Sequence, residues 1–294
     1  MLQIKVAEIP IDFTCHDKEF FKKRLMAYRI RDNEEHIDAR MTIKSCANEI
    51  MVLPKGDTIE KIRALTLAKT EDGRFYYYSI NKNKQVVSCT VYDTDYSNVE
   101  ITQLATRRHS VFSLTDFEYM YTGMAFSNRL AIEGGLVLHA SALKYDGKGI
   151  AFSAISGTGK STHAGLWRKY LSDSVSIIND DKPAVRFVGG QPFLYGTPWS
   201  GKTDINNNIR APLTAIVFLE RSEQNRIERL NIGDTYYEMA NAVARPACDQ
   251  ALGVRLLDSM EKLMKSVPVY RLHCNISRQA VETVYKEIIG RNMP

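Results

Sequence analysis

A glycine-rich segment at residues 154–162, with the sequence AISGTGKST, carries the clearest chemical signal in this chain. It matches the phosphate-binding pattern G-x-x-x-x-G-K-[ST], with alanine in place of the first glycine. Gly157 and Gly159 allow the backbone to curl so that successive N–H groups converge on an anion. Lys160 would then reach the β- and γ-phosphates of a nucleotide, and the Ser161 hydroxyl would coordinate Mg²⁺. An incidental glycine turn is the alternative.

The elements on either side of this segment fit a phosphate site. The apolar pattern predicts a strand at 149–154 before the loop and a helix at 160–171 after it. Such a helix presents the positive end of its dipole to a bound phosphate. We therefore predict that the phosphates of a nucleotide are bound by the loop residues Ser156, Gly157, Thr158, Gly159, Lys160, Ser161 and Thr162.

Two adjacent carboxylates, Asp180 and Asp181, end an apolar strand beyond the loop. A carboxylate in this position suits a Mg²⁺ ligand or a base in phosphoryl transfer. Because Asp is also favoured in turns, a solvated turn is the alternative for the pair taken alone. The phosphate loop earlier in the chain favours the metal and base roles.

Composition and charge argue against several classes of protein. The 294 residues are 44% hydrophobic and 25% charged, which is ordinary for a globular protein and argues against disordered, collagen-like and disulfide-scaffold classes. Residues 1–135 carry 19 basic and 19 acidic side chains, so the excess of +5 lies in the second half and suits a small anionic ligand. No basic run supports nucleic-acid binding, and no apolar run approaches the roughly 20 residues of a membrane span.

Five scattered cysteines without a CxxC pair, and a start without a signal pattern, predict a reduced cytoplasmic protein. The length suggests two domains. We predict a β-rich N-terminal domain at 1–112, a connecting helix at 113–135 and a P-loop catalytic domain at 136–294.

Local patterns predict individual elements of both halves. Strands at 75–80 and 85–92 flank a polar hairpin turn. Thr115 with Glu118 fits a capping box at the start of the connecting helix. For the second half we predict strands at 136–143, 149–154, 176–178, 184–188, 213–219 and 269–272, and helices at 160–171, 234–243, 256–265 and 277–289.

The chain resembles the HPr kinase/phosphorylases and the phosphoenolpyruvate carboxykinase-like nucleotide-binding fold. The residues that carry the resemblance are His139, the loop at 154–162 and the pair Asp180 and Asp181. His139 precedes the loop at the spacing of the histidine in HPr kinases, on the strand that leads into the hairpin before the loop. The resemblance covers 136–290. It implies an α/β (α+β mixed sheet) fold, with an HPr kinase-like nucleotide-binding domain after a smaller β-rich domain.

The resemblance also implies an activity. The chain would be an ATP- and Mg²⁺-dependent kinase that transfers the γ-phosphoryl group to a hydroxyl, expected to be a serine of a protein or peptide, with a small molecule as a further possibility. Asp180 matches the general base, and Asp181 matches the carboxylate that binds the metal together with Ser161. His139 would lie beside the transferred group, with a hydrogen-bonded core histidine as the alternative.

The segment GTPWSGKT at 196–203 looks like one found in uncharacterised relatives of HPr kinase. Lys202 in this segment could neutralise charge on the transferred phosphoryl group, and a solvated lysine is the alternative. Arg245 is a weaker candidate for a phosphate contact. Thr162 stands where HPr kinases carry an acidic residue, and their arginine-rich C-terminal signature is absent, which argues against HPr as the substrate and against phosphorolysis.

Two other classes of function stay open from the sequence. One is an ATP-binding regulatory or maturation protein without phosphotransfer. The other is a carboxykinase-like or hydrolytic enzyme of the same fold. The sequence leaves open the oligomeric state, with a homo-oligomer as one alternative, and the role of the first half.

Overall fold

The computed structural model describes residues 1–30, 37–155, 157–246 and 249–293. It divides into two compact units, which comprise residues 1–133 with 246–252, and residues 134–245 with 253–294. Each unit is built on one sheet that contains both parallel and antiparallel strand pairs, with helices as the other element. The predicted mixed α/β class is therefore confirmed.

The first unit is built on a sheet of eight strands in the order β1-β2-β3-β8-β7-β6-β5-β4. The pairs β2–β3 and β3–β8 are parallel, and the others are antiparallel. The predicted hairpin is confirmed as β6 and β7. The elements are β1 (Leu2–Val6), β2 (Ile9–Thr14), α1 (Lys18–Leu25), β3 (Met41–Asn48), β4 (Gly56–Ile62), β5 (Leu65–Thr70), β6 (Phe75–Ile80), β7 (Val86–Tyr92), β8 (Asn98–Leu104) and α2 (Leu114–Ile132).

The N-cap of helix α2 lies two residues earlier than the predicted Thr115. Its capping box is formed by Ser113 and Asp116, each of which accepts a hydrogen bond from the other's backbone N–H. The predicted pair Thr115 and Glu118 is therefore wrong. The carboxylate of Glu118 is fully buried and instead accepts hydrogen bonds from two backbone N–H groups, of His16 at 2.6 Å and of its neighbour at 3.0 Å. Two overlapping pairs of residues fit the capping-box pattern. Because the buried carboxylate of Glu118 needs hydrogen-bond partners and finds them in residues 16 and 17, the box forms from Ser113 and Asp116.

The second unit is built on a sheet of nine strands in which β11–β15 and β15–β17 are parallel. The main order is β12-β10-β11-β15-β14-β13-β9, and β17 pairs with β15 and β16. The elements are β9 (Leu136–Val137), β10 (Ala140–Tyr145), β11 (Lys148–Ser153), α3 (Lys160–Leu171), β12 (Val175–Asn179), β13 (Ala184–Val188), β14 (Gln191–Tyr195), β15 (Arg210–Arg221), β16 (Arg226–Arg229), α4 (Ile232–Ala242), α5 (Gln250–Ser266), β17 (Val269–Cys274) and α6 (Arg278–Ile289).

A buried core fixes helix α3 against this sheet. Trp167 on α3 is fully buried and packs its ring near those of Tyr145 on β10, Phe152 on β11 and Tyr285 on α6. Burial of side chains of this size contributes on the order of 2 kcal/mol each. These ring contacts hold helix α3 against the sheet.

The single strand predicted at 136–143 is wrong, because the structure divides it into β9 and β10. Leu138 N–H donates to Pro183 O at 3.0 Å, and Ala140 N–H donates to Asp181 O at 3.0 Å. The chain between the two strands therefore follows the segment after β12. His139 lies at this break, which places its ring beside the carboxylates that end β12.

Within the described parts of the chain, the structure has no helix that is both long and apolar enough to cross a membrane.

Candidate functional site

The glycine loop leads from β11 into α3 in the predicted arrangement. Gly157 and Gly159 have φ values of 83° and 118°, in the left-handed region that favours glycine. Gly159 is the N-cap of α3 and supplies no side-chain hydrogen bond to its first turn. In the described parts of the chain, the five other α-helices have a side-chain oxygen that accepts from the first turn, from Asp17, Ser113, Asn231, Asp249 and Ser277. The first turn of α3 therefore has backbone N–H groups that can donate hydrogen bonds to a bound anion.

Lys160, in the first turn of α3, is largely buried and points back across the loop. Its Nζ lies 2.9 Å from Nε2 of His139 and donates to Ala154 O at 3.3 Å. On the other edge of the imidazole, His139 Nδ1 lies 3.2 Å from Asp181 Oδ1. One imidazole ring thus links the loop lysine to a carboxylate from β12.

The charge states of this group follow from its surroundings. Burial lowers the pKa of His139, against the opposing charge of Asp181, and the ammonium groups of Lys160 and Lys182 lower it further. The ring is therefore neutral at pH 7, donating from Nδ1 to Asp181 and accepting at Nε2 from Lys160. Burial also lowers the pKa of Lys160, and Asp181 and Asp180 oppose that shift.

Asp180 is buried and accepts hydrogen bonds from two hydroxyl groups. Ser141, fully buried on β10, donates to Oδ1 at 2.7 Å. Thr203 donates to Oδ2 at 2.8 Å. The two O–H donors fix the orientation of this carboxylate. Its oxygens can therefore accept a hydrogen bond from a hydroxyl group.

Asn179, fully buried at the end of β12, fixes the turn that carries both carboxylates. Its Oδ1 accepts from the backbone N–H groups of Asp181 and Lys182 at 2.8 and 2.6 Å. Its Nδ2 donates to the backbone oxygen of Thr197 at 2.8 Å. These short hydrogen bonds fix the turn and tie it to the segment that contains the predicted Lys202.

Gly201 lets that segment approach the carboxylates. Its φ is 70°, and a Cβ built there would lie 3.0 Å from Cβ of Asp181. Any other residue would strain the backbone and crowd the carboxylate. The close approach brings residues 200–203 to the same pocket as the glycine loop.

Most of the predicted site residues line one pocket of about 510 Å³. Ser156 lies outside the described residues. Thr158 does not line this pocket, and Arg245 is exposed away from it. The predicted residues that line it are His139, Gly157, Gly159, Lys160, Ser161, Thr162, Asp180, Asp181 and Lys202.

A second pocket, of about 810 Å³, lies against the glycine loop and shares Gly157, Gly159 and Thr162 with the first. Thr158 lines this pocket, together with the apolar side chains of Leu166 and Leu219. Arg221, at the end of β15, also lines it and donates from Nη2 to Gly157 O at 2.5 Å. The loop is thus bordered by a polar pocket and by a larger one with an apolar wall.

His163, on α3, is buried. Its ring packs 4.6 Å from that of Phe152, and Nε2 accepts from Trp167 Nε1 at 3.4 Å. Burial lowers the pKa of His163 to about 4. The residue therefore belongs to the core beneath the loop and stays neutral at pH 7.

The described residues hold no group of three or more His, Cys, Asp or Glu side chains arranged to bind a metal ion. A Mg²⁺ ion bound with a nucleotide does not need one, because it takes one or two protein ligands, phosphate oxygens and waters. Ser161 and Asp181 line the same pocket and supply oxygen ligands of this type.

The residues that orient this site were not predicted from the sequence. Ser141 and Thr203 lie on separate segments, and only the fold brings their hydroxyls to Asp180. Asn179 had a usable signal, because an asparagine directly before two aspartates favours a side-chain-stabilised turn. No pattern in the sequence indicates its hydrogen bonds to Thr197.

The chain was compared with protein families, curated proteins and solved structures. No curated protein matches the chain. Among solved structures, the HPr(Ser) kinase/phosphatase from Coxiella burnetii is 12% identical over 52% of this chain and 93% of that chain, with a TM-score of 0.29. The family model described as SynChlorMet cassette protein ScmC matches residues 100–289, which include the whole glycine loop and both carboxylates. Since this match spans more than half of the sequence, the chain belongs to the ScmC family of SynChlorMet cassette proteins.

Proposed function

We propose that the second unit binds Mg·ATP and transfers its γ-phosphoryl group to a hydroxyl acceptor, as a P-loop serine kinase of the HPr kinase-like type. The observation that carries the proposal is the pocket that contains both the glycine loop with Lys160 and a buried Asp180 that accepts hydrogen bonds from hydroxyl groups. A phosphate-binding element and a base for a hydroxyl are the two parts that such a transfer requires.

The loop supplies the phosphate site. A Cβ built on Gly157 meets no atom within 4 Å, and one on Gly159 meets only the Thr162 side chain, at 3.8 Å. Both glycines also line the two pockets beside the loop, so the loop is accessible to a ligand. The uncapped N–H groups of α3 and the Lys160 ammonium would hold the phosphates. The larger neighbouring pocket, with Leu166, Leu219 and Arg221, has the volume and apolar wall for a nucleoside.

Ser161 and Asp181 would hold Mg²⁺, which when bound neutralises charge on the phosphate oxygens. The neutral His139 ring keeps Asp181 turned toward the pocket and holds Lys160 in place. Lys202 lines the same pocket and would balance charge on the transferred group.

Asp180 would accept the proton of the acceptor hydroxyl. Ser141 holds one carboxylate oxygen from the buried side, so the other oxygen is directed to the pocket. The expected acceptor is a serine of a protein or peptide, with a small-molecule hydroxyl as the second choice. We propose a cytoplasmic location, where ATP is available, and no role for nucleic acid.

The roles of the other parts of the chain follow as proposals. The β-rich region 1–112 would bind the acceptor or mediate assembly, the helical region 113–135 would connect it, and region 136–294 would perform the transfer. The departures from HPr kinases, at Thr162 above all, favour an acceptor other than HPr.

The test is to incubate the full chain with Mg²⁺ and γ-phosphate-labelled ATP, offering HPr, free serine or cell extract as acceptor. We expect label on a protein, peptide or small-molecule hydroxyl. Release of free phosphate alone, with every acceptor, would show a hydrolase. Binding of ATP without any turnover would show a nucleotide-binding regulatory protein, and either result would overturn the proposal.

A further inference from the structure

Thr203 holds a hydroxyl group where an acceptor hydroxyl would have to lie. Its Oγ1 donates to Oδ2 of Asp180 at 2.8 Å, and the residue lines the pocket that contains the glycine loop. The side chain is exposed, in the turn that follows Ser200. A hydroxyl that donates to the base and lines the same pocket as the phosphate-binding loop is placed as a nucleophile must be before phosphoryl transfer.

The second hydroxyl on Asp180 does not share this position. Ser141 is fully buried on β10, donates to the opposite oxygen at 2.7 Å and does not line the pocket. It can orient the carboxylate but cannot be reached by a phosphate. The two donors therefore have separate roles, and only Thr203 combines contact with Asp180 and access to the ligand space.

We infer that Thr203 is a phosphorylation site of the protein itself, modified by the phosphoryl donor bound at its own glycine loop. The inference rests on the proposed function. In the reaction Thr203 Oγ1 attacks the γ-phosphorus and forms a new P–O bond. The bond from the γ-phosphorus to the bridging oxygen breaks, and ADP leaves with that oxygen. The hydroxyl proton passes to Oδ2 of Asp180 and from there to solvent.

The residues around Thr203 predict how its phosphorylation would change the site. A phosphate on its Oγ1 would lie beside the negative charge of Asp180 and next in sequence to the positive charge of Lys202. It would also occupy the space in which an external hydroxyl must approach Asp180. Phosphorylated protein is therefore expected to lose transfer to an external acceptor, so the reaction limits itself.

The test uses the full chain with Mg·ATP, intact mass measurement and mapping of phosphorylated peptides. Thr203→Ser keeps the hydroxyl and Thr203→Val removes it with little change in shape. Thr283→Val is the matched control, because Thr283 is a half-buried threonine on α6 whose hydroxyl donates only to Gln279 O among the described contacts. Thermal unfolding of each variant confirms that it is folded.

We expect one phosphoryl group on the wild type, on Thr283→Val and on Thr203→Ser, mapped to position 203. Thr203→Val and Asp180→Asn should lose it completely. In the wild type the rate constant should not change with protein concentration, since donor and acceptor belong to one chain.

Two results would overturn the inference, and they separate it from the proposed function. If the wild type transfers phosphoryl groups to an external hydroxyl while position 203 stays unmodified, the inference is wrong and the kinase proposal stands. If the chain neither modifies itself nor turns over ATP with any acceptor, both are wrong. Phosphorylation of Thr203→Val to the wild-type extent would also reject the site.

Discussion

Lys160 Nζ lies 2.9 Å from Nε2 of His139, so the loop lysine is hydrogen-bonded to a neutral imidazole ring. The other nitrogen of the same ring contacts Asp181. This relationship joins the two halves of the site, the phosphate loop and the carboxylate turn. It also keeps a buried ammonium group hydrogen-bonded when no phosphate is present, which avoids the cost of an unpaired buried charge. A phosphate oxygen would be a stronger partner for Lys160 than the imidazole.

The first prediction concerns Lys160 itself. Lys160→Met removes the ammonium group and keeps an unbranched side chain of similar length. Because a charge-assisted bond to phosphate contributes about 1.5–3 kcal/mol, we expect the dissociation constant for Mg·ATP to rise by roughly 10- to 100-fold. Calorimetric titration with Mg·ATP measures it.

Lys169→Met is the matched control, because Lys169 lies on the same helix but is exposed. Its affinity for Mg·ATP should equal that of the wild type. Equal loss of affinity in both variants would show a general effect of charge on α3, and no loss in Lys160→Met would contradict a phosphate site at the loop.

A second prediction follows from the buried His163. Its folded pKa of about 4 lies below the ordinary 6.5, so the unfolded chain binds more protons between these values. Stability from this residue is thus complete above about pH 6.5 and is lost as the pH falls toward 4. Between pH 7 and 4.5 the wild type should lose about 2 kcal/mol of unfolding free energy through His163.

His163→Gln removes the titration and keeps an acceptor for Trp167. Urea unfolding of both proteins at pH 7 and 4.5 isolates the contribution of His163, because all other titrating groups are shared. The wild type should lose about 2 kcal/mol more than the variant over this interval. Equal losses would mean that His163 is exposed to water.

A third prediction compares two glycines of the second unit. A Cβ on Gly196 would lie 1.8 Å from the backbone oxygen of Asn207, whereas one on Gly165, in the exposed part of α3, would meet nothing within 4 Å. Gly196→Ala should therefore destabilise the protein by about 3 kcal/mol or prevent folding. Gly165→Ala should stabilise it by about 0.5–1 kcal/mol, because alanine favours the helix.

Thermal and urea unfolding of the two alanine variants give the comparison. The backbone around Gly196 and Asn207 supports the turn that carries Asp180, through hydrogen bonds to Ile178 O and Ile205 O. A Gly196→Ala protein as stable as Gly165→Ala would show that these segments are not packed as described.

The glycine loop could be predicted from the sequence, because its chemistry is local. Left-handed glycines, a lysine and a hydroxyl must follow one another within a few residues, and the apolar strand and helix on each side confirm the context. Most helices and strands of the second unit were found from their periodicity for the same reason. The short strands β14 and β16 were missed, since four or five residues with mixed polarity give no clear pattern.

The contacts that orient the site could not be predicted in this way. Ser141 and Thr203 are ordinary polar residues in the sequence, and their contacts with Asp180 arise only when separate segments meet. The break at His139 was hidden by an apolar run, and it is caused by hydrogen bonds to a distant segment.

The measurement that tests the account most directly separates binding from transfer at Asp180. Asp180→Asn keeps the shape of the side chain and an acceptor for Ser141 but removes the base. Asp173→Asn, at an exposed aspartate of the same unit, is the control. For each protein we would measure the affinity for Mg·ATP and the rate at which γ-labelled phosphate appears on an acceptor.

We predict that Asp180→Asn binds Mg·ATP within about threefold of the wild type and transfers phosphate about 10²- to 10⁴-fold more slowly, the usual contribution of a general base. Asp173→Asn should match the wild type in both measurements. Transfer by Asp180→Asn at the wild-type rate would contradict the account, because it would show that the buried carboxylate beside the glycine loop takes no part in the reaction.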